Sequence, residues 1–136
     1  MITLFDILDL VYSTLATSPV KTAINGGIYK LNRPDDSDKE DIVINVLPVT
    51  GDSVQTCIVN VNVHVSDVSL STESKRQYQP NTVRMKAIAD IAYTFLKQRY
   101  GSDYVLFVED QAVYQEKEIN QHFYNLRIRF RKHNSN

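Results

Sequence analysis

Along "CIVNVNVHV", Cys57 to Val65, Cys57, Val59, Val61, Val63 and Val65 fall on one side, and Asn60, Asn62 and His64 on the other. A period of two marks a strand with one face in a core, and the predicted strand runs from Gln55 to Ser66. The same alternation returns in "HFYNLRIRFRK" near the end of the chain. There Tyr124, Leu126, Ile128 and Phe130 oppose Asn125, Arg127, Arg129 and Arg131. "IVINVLPV" is mostly apolar, as a strand covered on both faces would be. Tyr104 to Glu109 reads as a strand running on towards Tyr114, with an irregularity at Asp110-Gln111. Ile28 to Leu31 is a short strand after the Asn25-Gly26-Gly27 turn. Thr50 to Ser53 joins its two neighbouring strands into an antiparallel hairpin.

Two stretches carry helical spacing instead. Leu4, Leu8, Val11 and Leu15, with Phe5 and Tyr12 beside them, predict an N-terminal helix. Thr3 and Asp6 form a capping-box start, and Ser18-Pro19 ends the helix. From Thr82 to Arg99, Met85, Ile88, Ile91, Ala92, Phe95 and Leu96 make a second stripe. Asn81 or Thr82 caps it, Lys97 and Arg99 fill its last turn, and Gly101 stops it.

The order is helix, three strands, helix, two strands. Two amphipathic helices cannot bury their stripes on each other and also cover five strands. The economical arrangement is an α+β fold: an antiparallel sheet of about five strands with both helices packed on one face. At 136 residues the chain reads as one domain, residues 1–136. Within it, 66–80 is a long polar loop without periodicity, and 133–136 is a flexible C-terminal tail.

The net charge of −1 gives no global pull towards nucleic acid or membrane. Its distribution is uneven. Leu31 to Ser53 holds six acids against Arg33 and Lys39, a balance of −4, whereas from Gln121 onward Arg127, Arg129, Arg131 and Lys132 give +4. An acidic end and a basic end follow if the fold keeps them apart. The single cysteine, Cys57, excludes an internal disulfide and sits in the apolar row as a small hydrophobe. Asp6 and Asp9, without a basic leader, make the N-terminus a poor signal peptide. No apolar run reaches the ~18 residues of a membrane span. The expectation is a soluble, intracellular protein in a reducing compartment.

Catalytic and metal signatures are weak. "NRPDDSDKED" lacks the alternating acids, central Gly and closing Glu of a calcium loop. His64, His122 and His133 have no ligand spacing with one another, and His64 points away from Cys57 by strand parity. No G-x-S-x-G occurs, and Gly26-Gly27 precedes no Lys-Ser/Thr pair. A nuclease reading uses Asp110 with Gln115, Glu116 and Lys117, but Gln115 stands where a metal-binding glutamate is needed. The expectation is no enzyme, no cofactor and no metal.

Two polar rows carry more information. Arg127, Arg129 and Arg131 share a strand face about 7 Å apart, and such neighbours repel unless acids, solvent or a polyanion lie opposite. They are read as paired with Glu116 and Glu118, as facing an acidic partner, or as lining a DNA path. Asn60 and Asn62, with His64, form a row of uncharged hydrogen-bonding groups in a strand, where Asn is disfavoured. An amide ladder of this kind can bond across a second sheet layer or across a subunit interface, and the interface is the favoured reading. Asn60, Asn62, His64, Arg127, Arg129 and Arg131 are the candidate interface residues.

An N-terminal helix running into "INGGIYKLNRP", then "DIVINVLPV", the "QTCIVNVNVHV" strand, a lone mid-chain helix and a final "NLRIRFR" hairpin together resemble the tail-terminator or tail-completion proteins of long-tailed phages and prophages. The likeness spans residues 2 to 132, with Ile28-Tyr29 and the Gln55 strand matching best; the 66–80 stretch departs by its length. The resemblance implies a non-enzymatic virion protein. It implies a homo-oligomeric ring, commonly hexameric, that caps the tail tube, docks to the head-tail connector and lets DNA through its bore. It implies the host cytoplasm during assembly, the tail or neck of the virion afterwards, and no membrane. The alternative is a small nucleic-acid-binding or nuclease-like domain using the basic C-terminal strand; a small ligand-binding module comes third.

Overall fold

A computed structural model describes residues 1–134 of the chain. The fold is α+β. Helix α1 (Leu4–Ala16) opens with the predicted capping box: Thr3 Oγ1 accepts the Asp6 N–H, and Asp6 Oδ2 accepts the Thr3 N–H. Its buried side is Ile7, Leu8, Val11 and Leu15; Leu4 is only half-buried and Phe5 is exposed. Ser18 closes the helix by donating Oγ–H to the Leu15 carbonyl, and a single turn, α2 (Val20–Ala23), follows.

Strand β1 (Ile28–Lys30) lies parallel to β2 (Asp41–Val46), and β2 pairs antiparallel with β3 (Val54–Ser66). Segment 66–80, expected to be a loop, is a hairpin of β4 (Val68–Thr72) and β5 (Lys75–Gln79) around a Glu73-Ser74 turn. The strands were invisible to a burial pattern because every residue in them is exposed. Helix α3 (Thr82–Leu96) is capped by Asn81, whose Oδ1 accepts the Arg84 N–H. It stops three residues short of the predicted end, since Gln98–Tyr100 forms strand β6. Arg99 still serves the helix terminus by donating to the Phe95 carbonyl. Two long strands, β7 (Tyr104–Glu116) and β8 (Gln121–His133), complete the chain.

The main sheet has six strands in the order β1-β2-β3-β8-β7-β6. Five antiparallel strands were expected. The sheet is instead mixed, because loop 31–40 carries the chain from β1 back to the same end before β2 begins. β6 escaped notice because it is short and fully exposed. One face of the sheet is dry: Cys57, Val59, Val61, Val63 and Val65 of β3 and Leu126, Ile128 and Phe130 of β8 join Ile7, Val11, Leu15, Ile88, Ala92 and Leu96 in a single core. Both long helices cover this face, as expected. No helix among the described residues is long and apolar enough to cross a membrane.

Of the expected flexible tail, 133–136, the first two residues are held in place. His133 closes β8, and its N–H donates to the Asp103 carbonyl at 2.8 Å. Asn134 donates its N–H to Ser53 O and its Nδ2 to Gln55 Oε1. Residues 135 and 136 lie outside the described residues.

Candidate functional site: the polar sheet face and the projecting hairpin

Strand register turns the outer face of the sheet into successive cross-strand rows. In the row beside loop 31–40, Asp41, His64, Phe123 and Tyr114 stand side by side. The Phe123 ring lies 5.1 Å from His64 and 5.2 Å from Tyr114, centroid to centroid. In the next row Asn125 Nδ2 donates to Asn62 Oδ1 at 2.7 Å and to Asn60 Oδ1 at 3.2 Å. Further along, Asn60, Arg127 and Asp110 are in register, then Ile58, Arg129 and Phe107, then Thr56, Arg131 and Val105.

The amide row is therefore a real ladder, closed within the subunit by one amino group shared between two carbonyls. The Oδ1 atoms of Asn60 and Asn62 are occupied, and Asn60, Asn62 and Asn125 are half-buried. The Nδ2 groups of Asn60 and Asn62 make no hydrogen bond among the described residues, so the ladder can still donate outward.

His64, expected at an interface with them, is covered within the subunit. It is 8% exposed, with Nδ1 2.6 Å from Glu116 Oε1. Burial, and then the charge of Arg33, hold its pKa below the usual imidazole value against the upward pull of Glu116. The neutral ring donates Nδ1–H to the carboxylate. Above it, Arg33 bridges Asp41 Oδ2 at 3.2 Å and Gln121 Oε1 at 2.6 Å, while Gln121 Nε2 donates to the Ser37 carbonyl. Asp41, 1% exposed, also accepts the Gly27 N–H at 3.0 Å. Gly26 is required for this approach: a Cβ there would stand 2.0 Å from Asp41 Oδ1. These bonds fasten the acidic loop over the sheet. Nothing in the local sequence flags them, because Arg33 and Gln121 are 88 positions apart.

The arginine row has one acid between its members, and it is neither Glu116 nor Glu118. Glu109 Oε1 accepts from Arg127 Nε and Arg129 Nη2, and its Oε2 from Arg129 Nε, all at 3.2 Å. The cause is a β-bulge: β7 slips register between Val108 and Asp110, leaving Glu109 as the extra residue. The irregularity lies just ahead of the predicted Asp110-Gln111, and it re-aims the carboxylate towards both guanidiniums. Glu116 is taken up by His64 and, at 3.8 Å, by Arg33. Arg131 is exposed and forms no ion pair among the described residues. Charge is also polarised along β8. Its first residue, Gln121, touches the acidic loop, and Arg127 is six residues, about 20 Å, further on.

The nuclease constellation does not assemble. Asp110 Oδ1 accepts the N–H of Gln111 beside it, and Glu116 is bound at the far end of the strand. No group of three or more His, Cys, Asp or Glu among the described residues is placed to hold a metal ion. Cys57 is buried, its thiol pushed up to about 11 chiefly by desolvation.

The feature that the pattern missed is the β4–β5 hairpin. It leaves β3 at Asp67 and rejoins at α3, and its strands pair with each other in a sheet of their own. Val68, Leu70 and Tyr78 on it are 40, 45 and 40% exposed. A signal was present in hindsight: Val68 and Leu70 alternate, and the closing Pro80 precedes a helix cap.

No protein-family model matches the chain, and no curated protein matches its sequence.

Proposed function

We propose that this chain is a structural assembly subunit of a long-tailed phage or prophage particle. It caps the tail tube as an oligomeric ring and joins it to the head connector, and DNA passes through the bore. The carrying observation is the hairpin arm, 68–79, whose strands pair with each other rather than with the main sheet and whose Val68, Leu70 and Tyr78 are 40 to 45% exposed. An isolated two-stranded hairpin is marginal in water, so an arm of this kind belongs to a subunit completed by assembly. The separated acidic loop and basic strand support the same reading, since a ring between tube and connector needs two unlike faces, and opposite charges steer their stacking. A heterologous contact that closes by rotation gives the ring.

A DNA-binding domain using Arg127, Arg129 and Arg131 is less well supported, because Glu109 engages two of the three guanidiniums. Gold-labelled antibody on purified particles is the direct test. Label at the head-proximal end of the tail is expected. Label elsewhere, or none on particles whose hosts express the protein, overturns the proposal. The DNA reading is tested separately: it requires salt-dependent binding that is lost on replacing the three arginines with glutamine.

A further inference from the structure

The arm has a counterpart on the same chain. Beyond the three residues of β7 paired with β6 and the Val108 N–H bound to the Lys97 carbonyl, the strand from Glu109 to Glu116 is an open edge. On the helix side of that stretch a trough runs between α3 and β7. One half, 220 Å³, is almost wholly apolar and is lined by Met85, Ala89, Val113 and Tyr124 with Thr82 and the Lys86 stem. The other half, 370 Å³, shares Ala89 and Tyr124 and ends at Asp90, Thr94 and Gln111. Val113 on its floor is 54% exposed.

We infer that the trough receives the β4–β5 arm of a second copy of this chain; the inference rests on the proposed ring and identifies the contact that builds it. The order of chemistry matches. On the arm, Val68 and Leu70 share one face near the base, and Lys75 and Arg76 follow the turn at the tip. In the trough, the Met85 and Val113 half gives way to Asp90, which holds the Lys86 ammonium at 2.6 Å and is still exposed to a second cation. The spacing matches too. Leu70 to the tip is two to three residues of strand, about 7–10 Å. Val113 to Gln111 is two strand residues, about 7 Å, and Met85 to Asp90 is five helical residues, about 7.5 Å.

In the folded chain the arm does not occupy its own trough: no residue of 68–79 lines it. Asp67, at its first foot, receives its carboxylate contact from His122 Nδ1 at 2.6 Å and donates its N–H to the Asn120 carbonyl. Asn81, at the second, is spent capping α3. With both feet held and the arm outside its own trough, the occupant inferred is a neighbour's arm. Donor and acceptor surfaces then differ, which is the heterologous geometry that propagates round a ring.

Light scattering on the full chain and two variants tests this. Leu70→Asp disables the arm and Val113→Asp disables the trough, both at exposed positions, with circular dichroism confirming unchanged folding. The native chain is expected to self-associate, and each variant to do so at least tenfold more weakly. An equimolar mixture is expected to form a one-to-one heterodimer, since the Val113→Asp chain still offers an arm and the Leu70→Asp chain still offers a trough. Native-like assembly of both variants overturns the arm contact while leaving the ring standing. Loss of assembly without heterodimer formation overturns it as well, in favour of arm-to-arm pairing or another partner. A native chain that remains monomeric at every concentration, with its arm protected from proteolysis, assigns the trough to its own arm. Particle labelling judges the assembly reading independently.

Discussion

His64 Nδ1 and Glu116 Oε1 meet at 2.6 Å across 52 residues of sequence, joining the far ends of β3 and β7 beneath Arg33. The folded chain holds this imidazole neutral, with a pKa below its ordinary value through burial and the Arg33 charge, although Glu116 and Asp41 pull the other way. The unfolded chain protonates it near pH 6.5. Protons therefore bind the unfolded state first as pH falls, so this contribution is complete above about 6.5 and shrinks on acidification. The urea midpoint of the native chain should drop between pH 7.5 and 5.5. His64→Gln should flatten that drop; an unchanged pH slope in the variant would refute the assignment.

Glu40 and Arg84 give a second, asymmetric prediction. The Glu40 carboxylate lies at the start of β2, 8% exposed, and is gripped by Arg84 Nε and Nη2, while its Oε1 accepts the Asn25 N–H at 3.2 Å. The Arg84 side chain bond is the main reason the Glu40 pKa is lowered. Removing the guanidinium strands a buried charge; removing the charge leaves an arginine, 38% exposed, that water can serve. After discounting for that exposure, Arg84→Ala should cost about 1–3 kcal/mol and Glu40→Gln clearly less. Chemical denaturation at pH 7 measures both. Equal losses would mean that the pair is worth no more than its packing.

The two long alternating strands and both long helices were legible because each buries one regular face, and burial imposes a period on sequence. Thr3 with Asp6 and Asn81 with Arg84 were legible because caps are local. What escaped was non-local or exposed. The arm has no buried face to impose a period. The mixed sheet depends on how loop 31–40 is fastened through Arg33 to Gln121. Pairing of the arginines with Glu116 and Glu118, one of three readings, fails because a bulge at Glu109 shifts which acid faces β8, and nothing around Val108 announces it. His64 was placed outward correctly by parity, but parity says nothing about a loop lying on top.

Cys57 offers a kinetic reading of the core. It is 3% exposed and its thiol is raised to about 11 by desolvation, opposed only by the charge of Arg129. Three units above pH 8, about one thiol in a thousand is ionised, and the thiolate is the reactive form. Labelling by a thiol-specific disulfide reagent at pH 8 should therefore be slow in the native chain and immediate in guanidinium. Rapid native labelling would place the residue outside the core. Cys57→Ser should destabilise by about 1–3 kcal/mol through an unpaired buried hydroxyl, more than Cys57→Ala.

Glu109 decides how much positive charge the outer face displays. Its carboxylate is 25% exposed and serves side chains of Arg127 and Arg129 that are 44 and 32% exposed, so each contact is screened by water. Glu109→Gln should lower stability by no more than about 1 kcal/mol. It should nevertheless leave two guanidiniums beside Arg131 without their shared acid, a local gain of one positive charge on a face already carrying three arginines. Retention on heparin should then increase, with a steeper dependence on salt than the native chain shows, because more counterions are released from a polyanion facing the strand. If retention does not change, these arginines are not presented to a polyanion, and the proposal that DNA passes along this face loses its support. If stability falls by several kcal/mol instead, the bulge itself depends on the carboxylate, and Glu109 holds the register of β7 against β8 as well as its charge.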